Sequence, residues 1–330
     1  MNTFGRLFKV SIFGESHGEC VGVLVDGCPA GLPLAAEEFR EDLKRRQGGQ
    51  PGTTPRKEKD IPQIESGLLD GRTTGAPILI LIENQNVRST DYEEIMYKPR
   101  PGHADFVAHE KFGGFNDHRG GGHFSGRLTA GLVAAGVIAK KVIKGVTVKA
   151  VLTEAGGSPD IDQAVLAAME ANDSIGGIVE CTVSGLPVGL GEPFFDSVES
   201  LIGHVVFSIP AVRGIEFGAG FGSSKMRGSA CNDEILDRSG RTRTNNSGGI
   251  SGGITNGNDI YFRVAVKPTS SIARAQRTID LRTGEQTELL VTGRHDACIA
   301  LRVPVIVEAA TAIVLADLML LEQLIRRISN

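Results

Sequence analysis

Apolar and polar positions in this chain follow two periods, one near 2 and one near 3.6, and the switches between them mark its elements. Residues 6–13 read as a strand running into a turn at Gly14, and residues 21–25 as a second apolar run of strand length. Residues 33–46 carry Leu34, Phe39 and Leu43 on one side and Glu37, Glu38, Glu41 and Asp42 on the other, which predicts an amphipathic helix. QGGQPGTTPR at 47–56 predicts a turn-rich loop. Residues 75–82 read as a strand ending at Glu83. Residues 129–143 predict a helix whose Ala130, Gly131, Ala134, Ala135 and Gly136 permit close packing against another helix.

The second half follows the same logic. Strands are expected at 146–154 and 177–183, flanking a short helix from about 161 to 171. Residues 198–207 predict a helix, and Ile215 the start of a strand. Residues 218–254 are rich in Gly, Ser, Asn and Arg and read as irregular. Residues 261–266 alternate cleanly. Residues 304–328 predict a long helix, apolar nearly all round in its first half, so buried between layers or at an oligomer interface. The mixture is α/β or α+β. No GxGxxG follows a strand and no GxxxxGK[ST] occurs, which disfavours a Rossmann nucleotide fold and a P-loop ATPase.

Composition narrows the class. Glycine is 43 of 330 residues, well above the usual ~7%, without a collagen period, so the glycines serve turns and close backbone approach. Net charge is −4 and Trp is absent, which gives no nucleic-acid signal and no base-stacking platform. Cys20, Cys28, Cys181, Cys231 and Cys298 are widely spaced and odd in number, fitting idle thiols in a reducing compartment. With no apolar signal segment and no membrane span expected, the cytoplasm is the expected location, and the acceptor patterns at Asn172 and Asn245 should stay unmodified.

Residues 100–127, RPGHADFVAHEKFGGFNDHRGGGHFSGR, hold four histidines, three arginines and the triplet Gly120–Gly122. Arg100, Arg119 and Arg127 together with bare backbone N–H groups suit an anion such as phosphate or carboxylate. Histidines there can move protons near neutral pH. The alternative is an ordinary polar surface loop. His103 has small neighbours that leave room for a ligand, and an adjacent phosphate would raise its pKa and ready it as a proton donor. Ser125 adds a hydroxyl. His103-x5-His109 and His118-x4-His123 lack the HExxH pattern and stand among arginines, so a metal site is disfavoured.

Smaller constellations lie elsewhere. GESHG at 14–18 matches GxSxG, but its N-terminal position and lack of a following helix argue against a hydrolase elbow. KPTSS at 267–271 follows a strand and offers Lys267 and three hydroxyls. TGRHDACI at 292–299 gathers Arg294, His295 and Asp296, for which an N-cap or an Arg–Asp pair is the local alternative. RTRTNNSGG at 241–249 adds Arg241, Arg243, Asn245 and Asn246. Arg45 and Arg46 at a helix end also complement its dipole. Separated cations and glycine cradles imply a small ligand with several anionic groups. Residue chemistry by itself stops at an enzyme or binding protein for a small polyanion.

GESHG at 14–18, RPGHAD at 100–105, RGGG at 119–122, SIPAVRGIEFG at 208–218, TNNSGGISGGITNG at 244–257, KPTSS at 267–271 and GRHDACI at 293–299 together resemble the chorismate synthase family, in order from Phe4 to about Leu320. The resemblance implies a shikimate-pathway lyase for aromatic amino-acid biosynthesis. It performs a 1,4-anti elimination on 5-enolpyruvylshikimate 3-phosphate: phosphate leaves C3, hydrogen leaves C6, and chorismate forms. Reduced FMN is required with no net redox change, and lends electron density transiently.

Carried over residue by residue, His17 is implied to protonate or hold the reduced flavin near N1 and C2=O. His103 is implied to protonate the departing phosphate, and Asp296 to help deprotonate flavin N5, with Ser16 and Ser125 assisting. Arg46, Arg100, Arg119 and Arg127 are implied anion ligands. His123, Phe124, Ser125, Asn245, Gly252, Lys267, Pro268, Thr269, Ser270, Ser271 and Arg294 match flavin-contact segments, and Arg46 is implied there too. The family architecture is α+β, a β-α-β sandwich with central helices covered by sheets and glycine-rich active-site loops. One domain over 1–330 and a homotetramer follow from it. No room exists for a separate NAD(P)H-flavin reductase domain, so an external flavin-reducing system is implied. Three departures stand out: His123 replaces a usual Arg, Phe124 a small hydroxyl, and Ala297 a Pro. QGGQPGTT at 47–54, after Arg46, also lacks an arginine that many members of the family place there.

Overall fold

A computed structural model describes residues 2–87, 92, 94–291, 293 and 295–324. Two antiparallel sheets and two central helices make the frame. The first sheet holds β1 (Thr3–Phe4), β2 (Lys9–Gly14), β3 (Cys20–Asp26), β4 (Gln63–Ile64) and β5 (Ile78–Glu83), in the order β1-β2-β3-β5-β4. Ile78, Ile80 and Ile82 alternate inward along β5, and Val23 of β3 stands opposite Ile80. The second sheet holds β6 (Thr147–Ala155), β7 (Gly177–Ser184), β8 (Val212–Phe217) and β9 (Ile260–Val266), in the order β8-β9-β7-β6. Ile260, Phe262, Val264 and Val266 bury one face of β9.

The helices are α1 (Arg40–Arg46), α2 (Asp105–Phe112), α3 (Thr129–Val142), α4 (Ile161–Glu170), α5 (Val198–Val206) and α6 (Val303–Leu324). Helix α3 packs on β3 and on α6, and α6 packs on β6 and β7. Small residues explain the closeness. A Cβ on Gly131 would lie 2.8 Å from Gly22 O, and one on Gly136 would lie 2.3 Å from Ala309 Cβ. Helix α6 lies in a stretch long and apolar enough to cross a membrane, residues 299–323, yet 83% of that window is buried inside the protein. Its Asp317 accepts the backbone N–H groups of Arg6, Leu7 and Phe8, tying the chain start to the core. The cysteines Cys20, Cys28, Cys181, Cys231 and Cys298 are all free thiols.

Several sequence expectations need correction. The helix expected over 33–46 begins later. Pro33 bridges to Arg72, Ala36–Phe39 form a 3-10 turn, and the α-helix covers only Arg40–Arg46. The strand expected from 6 starts at Lys9, because the N–H groups of residues 6–8 go to Asp317. The strand expected from Ile215 starts at Val212, where an irregularity between Val212 and Gly214 shifts its register with β9. Segment 218–254 is loop-like but contains a 3-10 turn at Gly220–Lys225, a helical turn at Gly228–Cys231 and the first strand of a short hairpin, Ile250–Ser251 paired with Ile254–Thr255. Helix α2 was missed: its apolar residues form no stripe. The end of the helix expected to reach 328 lies outside the described residues.

Candidate functional site

Distant loops converge on one cavity of about 800 Å³ between the ends of the layers. Ser16, Arg46, Arg100, His103, His123, Phe124, Ser125, Arg127, Asp296 and the run Lys267, Pro268, Thr269, Ser270 and Ser271 all line it. Helix α1 delivers Arg46 from its last turn, and the turn before α2 delivers Arg100 and His103. The segment preceding α3 supplies His123–Arg127, and the end of β9 leads straight into Lys267.

His103 is clamped by the residues around it. Its Nδ1 lies 2.6 Å from Asp105 Oδ1. Arg100 Nη2 sits 3.0 and 3.3 Å from the two ring nitrogens, so it covers the ring and cannot lie in the plane of both. Arg100 also donates to Asp105 from Nε at 2.7 Å and to Ser271 Oγ at 3.0 Å. Lys267 Nζ donates to Ser270 Oγ at 2.8 Å and to Gly102 O. Burial pushes the His103 pKa below its ordinary value; Asp105 opposes this, while Arg100 and Lys267 add to it. Burial also acts on Asp105, but Arg100 and His103 outweigh it and hold this carboxyl well below the usual range.

The glycine triplet is a close-approach device. Gly120, Gly121 and Gly122 have φ of 60°, 82° and 52°. A Cβ on Gly120 would stand 2.6 Å from the His17 ring, and one on Gly121 would stand 3.4 Å from that of His103. His17, expected to touch the flavin, is instead buried behind the triplet, edge-on to Tyr92 at 5.1 Å, and does not line the cavity, because Gly120 stands in front of its ring. Ser16 N donates to Gly122 O at 3.1 Å. His123 spends both ring nitrogens on protein oxygens, Gly14 O at 3.0 Å and Asn2 Oδ1 at 3.1 Å.

Sequence reading missed a run of site residues at 54–60. Burial there alternates: Thr54, Glu58 and Asp60 are buried and Arg56 half-buried, while Pro55, Lys57 and Lys59 are exposed. Thr54 N donates to Asp296 Oδ1 at 2.9 Å, and Arg56 Nη1 to Ser16 Oγ at 3.0 Å. Asp60 holds Arg46 and Arg127. The period-2 signal was present, but its polar letters look like a solvated loop. Arg302 was also missed; it pairs with Asp296 at 2.6 Å, so the local Arg–Asp alternative holds at a position that also lines the cavity.

Other expected residues are placed elsewhere. Arg119 pairs with Asp117 at 2.8 Å with much of its side chain in solvent. Asn245 braces a turn through Asp259 O at 2.8 Å and Gly249 N at 2.7 Å, and Gly252 stands in the 250–255 hairpin. Neither lines the cavity. Arg294 lies outside the described residues. Among the described residues, no group of three or more His, Cys, Asp or Glu is arranged to hold a metal ion.

A family model described as chorismate synthase matches residues 8–320. This chain belongs to the chorismate synthase family. It is 64% identical over 329 residues to the chorismate synthase of Chitinophaga pinensis, with 99% of each chain covered. It is 46% identical over 340 residues to that of Thermococcus kodakarensis, covering 95% of this chain and 96% of that one. A crystal structure of a chorismate synthase superposes with a TM-score of 0.75 at 26% identity, covering 97% of this chain and 93% of that chain. The chain is therefore a lyase of the shikimate pathway. It eliminates phosphate from 5-enolpyruvylshikimate 3-phosphate to give chorismate in an FMN-dependent reaction.

The cavity suits those ligands. Its size lies within the roughly 300–1,000 Å³ usual for ligand clefts. Arg46, Arg100, Arg127, Lys267 and Arg302 line it, so cations face the space an anionic ligand would fill. Ile209, Pro210, Val212 and Ile299 give apolar wall for a flat ring.

Proposed function

We infer that the chorismate synthase reaction runs in this cavity with His103 as the acid for the departing phosphate. The observation that carries the reading is the convergence of His103, Arg100 and Lys267 with Asp296 on one cavity. Arg46, Arg100 and Arg127 bind the anionic groups of the substrate. Charge-assisted bonds of this kind contribute about 1.5–3 kcal/mol each. Binding of the phosphate brings a dianion to His103, favours the imidazolium, and readies the proton that the leaving oxygen takes. Asp296, held by Thr54 N–H and Arg302, handles the proton on the C6 side. Ser16 and Ser125 relay protons.

FMN, in its reduced form, supplies transient electron density to the allylic system when bound. His123, Phe124, Ser125, Arg46 and residues 267–271 would surround it, with His17 backing its polar edge from behind Gly120. Asn245, Gly252 and Arg294 complete the cofactor contacts in this reading. Asn245 and Gly252 then act from a neighbouring subunit, since a homotetramer is part of the same reading. Phe194 and Phe195 support association, being 85% and 92% exposed. The reading further includes one domain over 1–330, the family's β-α-β sandwich, a cytoplasmic location, and external NADPH-linked reduction of FMN.

An anaerobic assay tests it. Purified protein, the enolpyruvyl substrate and FMN are combined, with the flavin either oxidised or reduced by dithionite. Chorismate is expected only with reduced flavin, and His103→Ala should lower turnover by roughly 10²–10⁴. Phosphate release without reduced flavin would indicate a hydrolase instead. Flavin binding with no product would indicate a binding protein.

A further inference from the structure

Asp60 stands behind the cavity wall, its side chain 0% exposed, in contact with two arginines that line the cavity. One oxygen accepts from Arg46 Nη2 at 2.8 Å, and the other accepts from Arg127 Nη1. Arg127 is tied further: its Nε donates to Asn84 Oδ1 at 2.8 Å and its Nη2 to Glu83 O at 3.2 Å. Arg46 differs. Its side chain is buried, yet its Nε finds no partner among the described residues.

Two buried guanidinium groups side by side repel each other. A single carboxylate between them offsets one charge, leaves a net positive site, and fixes the distance between the two cations. Asp60 does this from a left-handed backbone, φ 48°, which non-glycine residues adopt rarely and Asp more readily than most. Local strain held in place at a functional wall is a common sign of pre-organisation. Burial by itself would raise the Asp60 pKa; Arg46 and Arg127 outweigh it and hold the carboxyl below its ordinary range, so the clamp stays charged at neutral pH.

We propose that Asp60 is a positioning residue that sets the spacing and orientation of Arg46 and Arg127 for one anionic group of the substrate. The proposal rests on the reading of the cavity as the substrate site. An arginine pair serving only the fold would have its donors spent on protein acceptors. Arg127 nearly meets that description and Arg46 does not. The segment that carries Asp60 also touches Asp296 through Thr54 and Ser16 through Arg56, so one extended run braces several walls of the cavity.

The test is substrate binding by calorimetry with oxidised FMN, where no turnover occurs, together with steady-state kinetics on the reduced holoenzyme. In Asp60→Asn the substrate Kd and KM should rise by about tenfold or more, a loss on the order of one charge-assisted hydrogen bond to the substrate. kcat should change by less than about threefold, the signature of lost binding common to ground and transition states. A lower kcat with unchanged Kd and KM would mean a purely structural role and would overturn the proposal. Asp60→Glu is the second variant, in case the first does not fold. It keeps the charge and moves it by one methylene, so weaker binding is expected and wild-type affinity would overturn the proposal. If the wild-type protein itself fails to bind the substrate, the reading of the cavity falls and the proposal with it. Wild-type binding with an unaffected Asp60→Asn variant removes the proposal alone.

Discussion

Asp105 grips His103 through a 2.6 Å contact between carboxylate Oδ1 and ring Nδ1, which leaves the Nε2 edge toward Gly121 and the cavity. The pair decides how a buried histidine can act as an acid. Burial, Arg100 and Lys267 all disfavour the imidazolium, and Asp105 is the neighbour that favours it.

Replacing Asp105 by Asn should therefore lower the His103 pKa further. The protonated fraction is then lost at lower pH, so the basic limb of the kcat/KM profile should move toward acid. Rates measured between about pH 5 and 9 would check this. An unmoved limb with a uniformly lower rate would mean that Asp105 only supports the fold.

Glu308 is a buried carboxylate on the central helix α6. Arg45 donates to it at 2.7 and 2.8 Å, Lys140 at 3.1 Å and Ala150 N at 3.1 Å. Burial would raise its pKa, but these partners outweigh it and hold the value below the ordinary one. A depressed folded pKa gives stability that is present above the unfolded value of about 4.3 and is lost as pH falls through the folded value. Glu308→Gln should destabilise the protein by about 1–3 kcal/mol at neutral pH, because a buried carboxylate loses its charge-assisted bonds while Arg45 and Lys140 stay partly solvated and paired with Asp42. Urea unfolding should show the gap between variant and wild type narrowing toward acid pH. A gap that stays constant with pH would exclude this linkage.

Gly136 meets Ala309 where α3 crosses α6, and a Cβ there would stand 2.6 Å from Ala309 Cα. Neither backbone can move without disturbing a sheet. Gly136→Ala should cost about 1–3 kcal/mol, seen as a lower thermal midpoint. A midpoint equal to wild type would show that the helices separate easily.

The elements with one strong period were legible from the letters. Residues 260–266 alternate because one face of β9 is buried and the other is not, and 129–142 are small and apolar because two helices must touch there. Segments whose shape depends on a distant partner were not. Residues 6–8 stay out of the strand because Asp317, more than 300 positions away, takes their N–H groups. Helix α2 carries no apolar stripe and owes its place to the site around it.

Residue chemistry determined that this protein binds a small polyanion, and ordered motifs pointed to its family, since both depend on which side chains are present. Which of those side chains meet was decided by the tertiary structure. Long-range packing brought Arg46, Arg100, His103, Lys267 and Asp296 to one cavity, set Arg119 apart, added Arg56 and Arg302, and put Asp60 behind Arg46. A charge's partner depends on distance in space and on burial, and no local pattern encodes either.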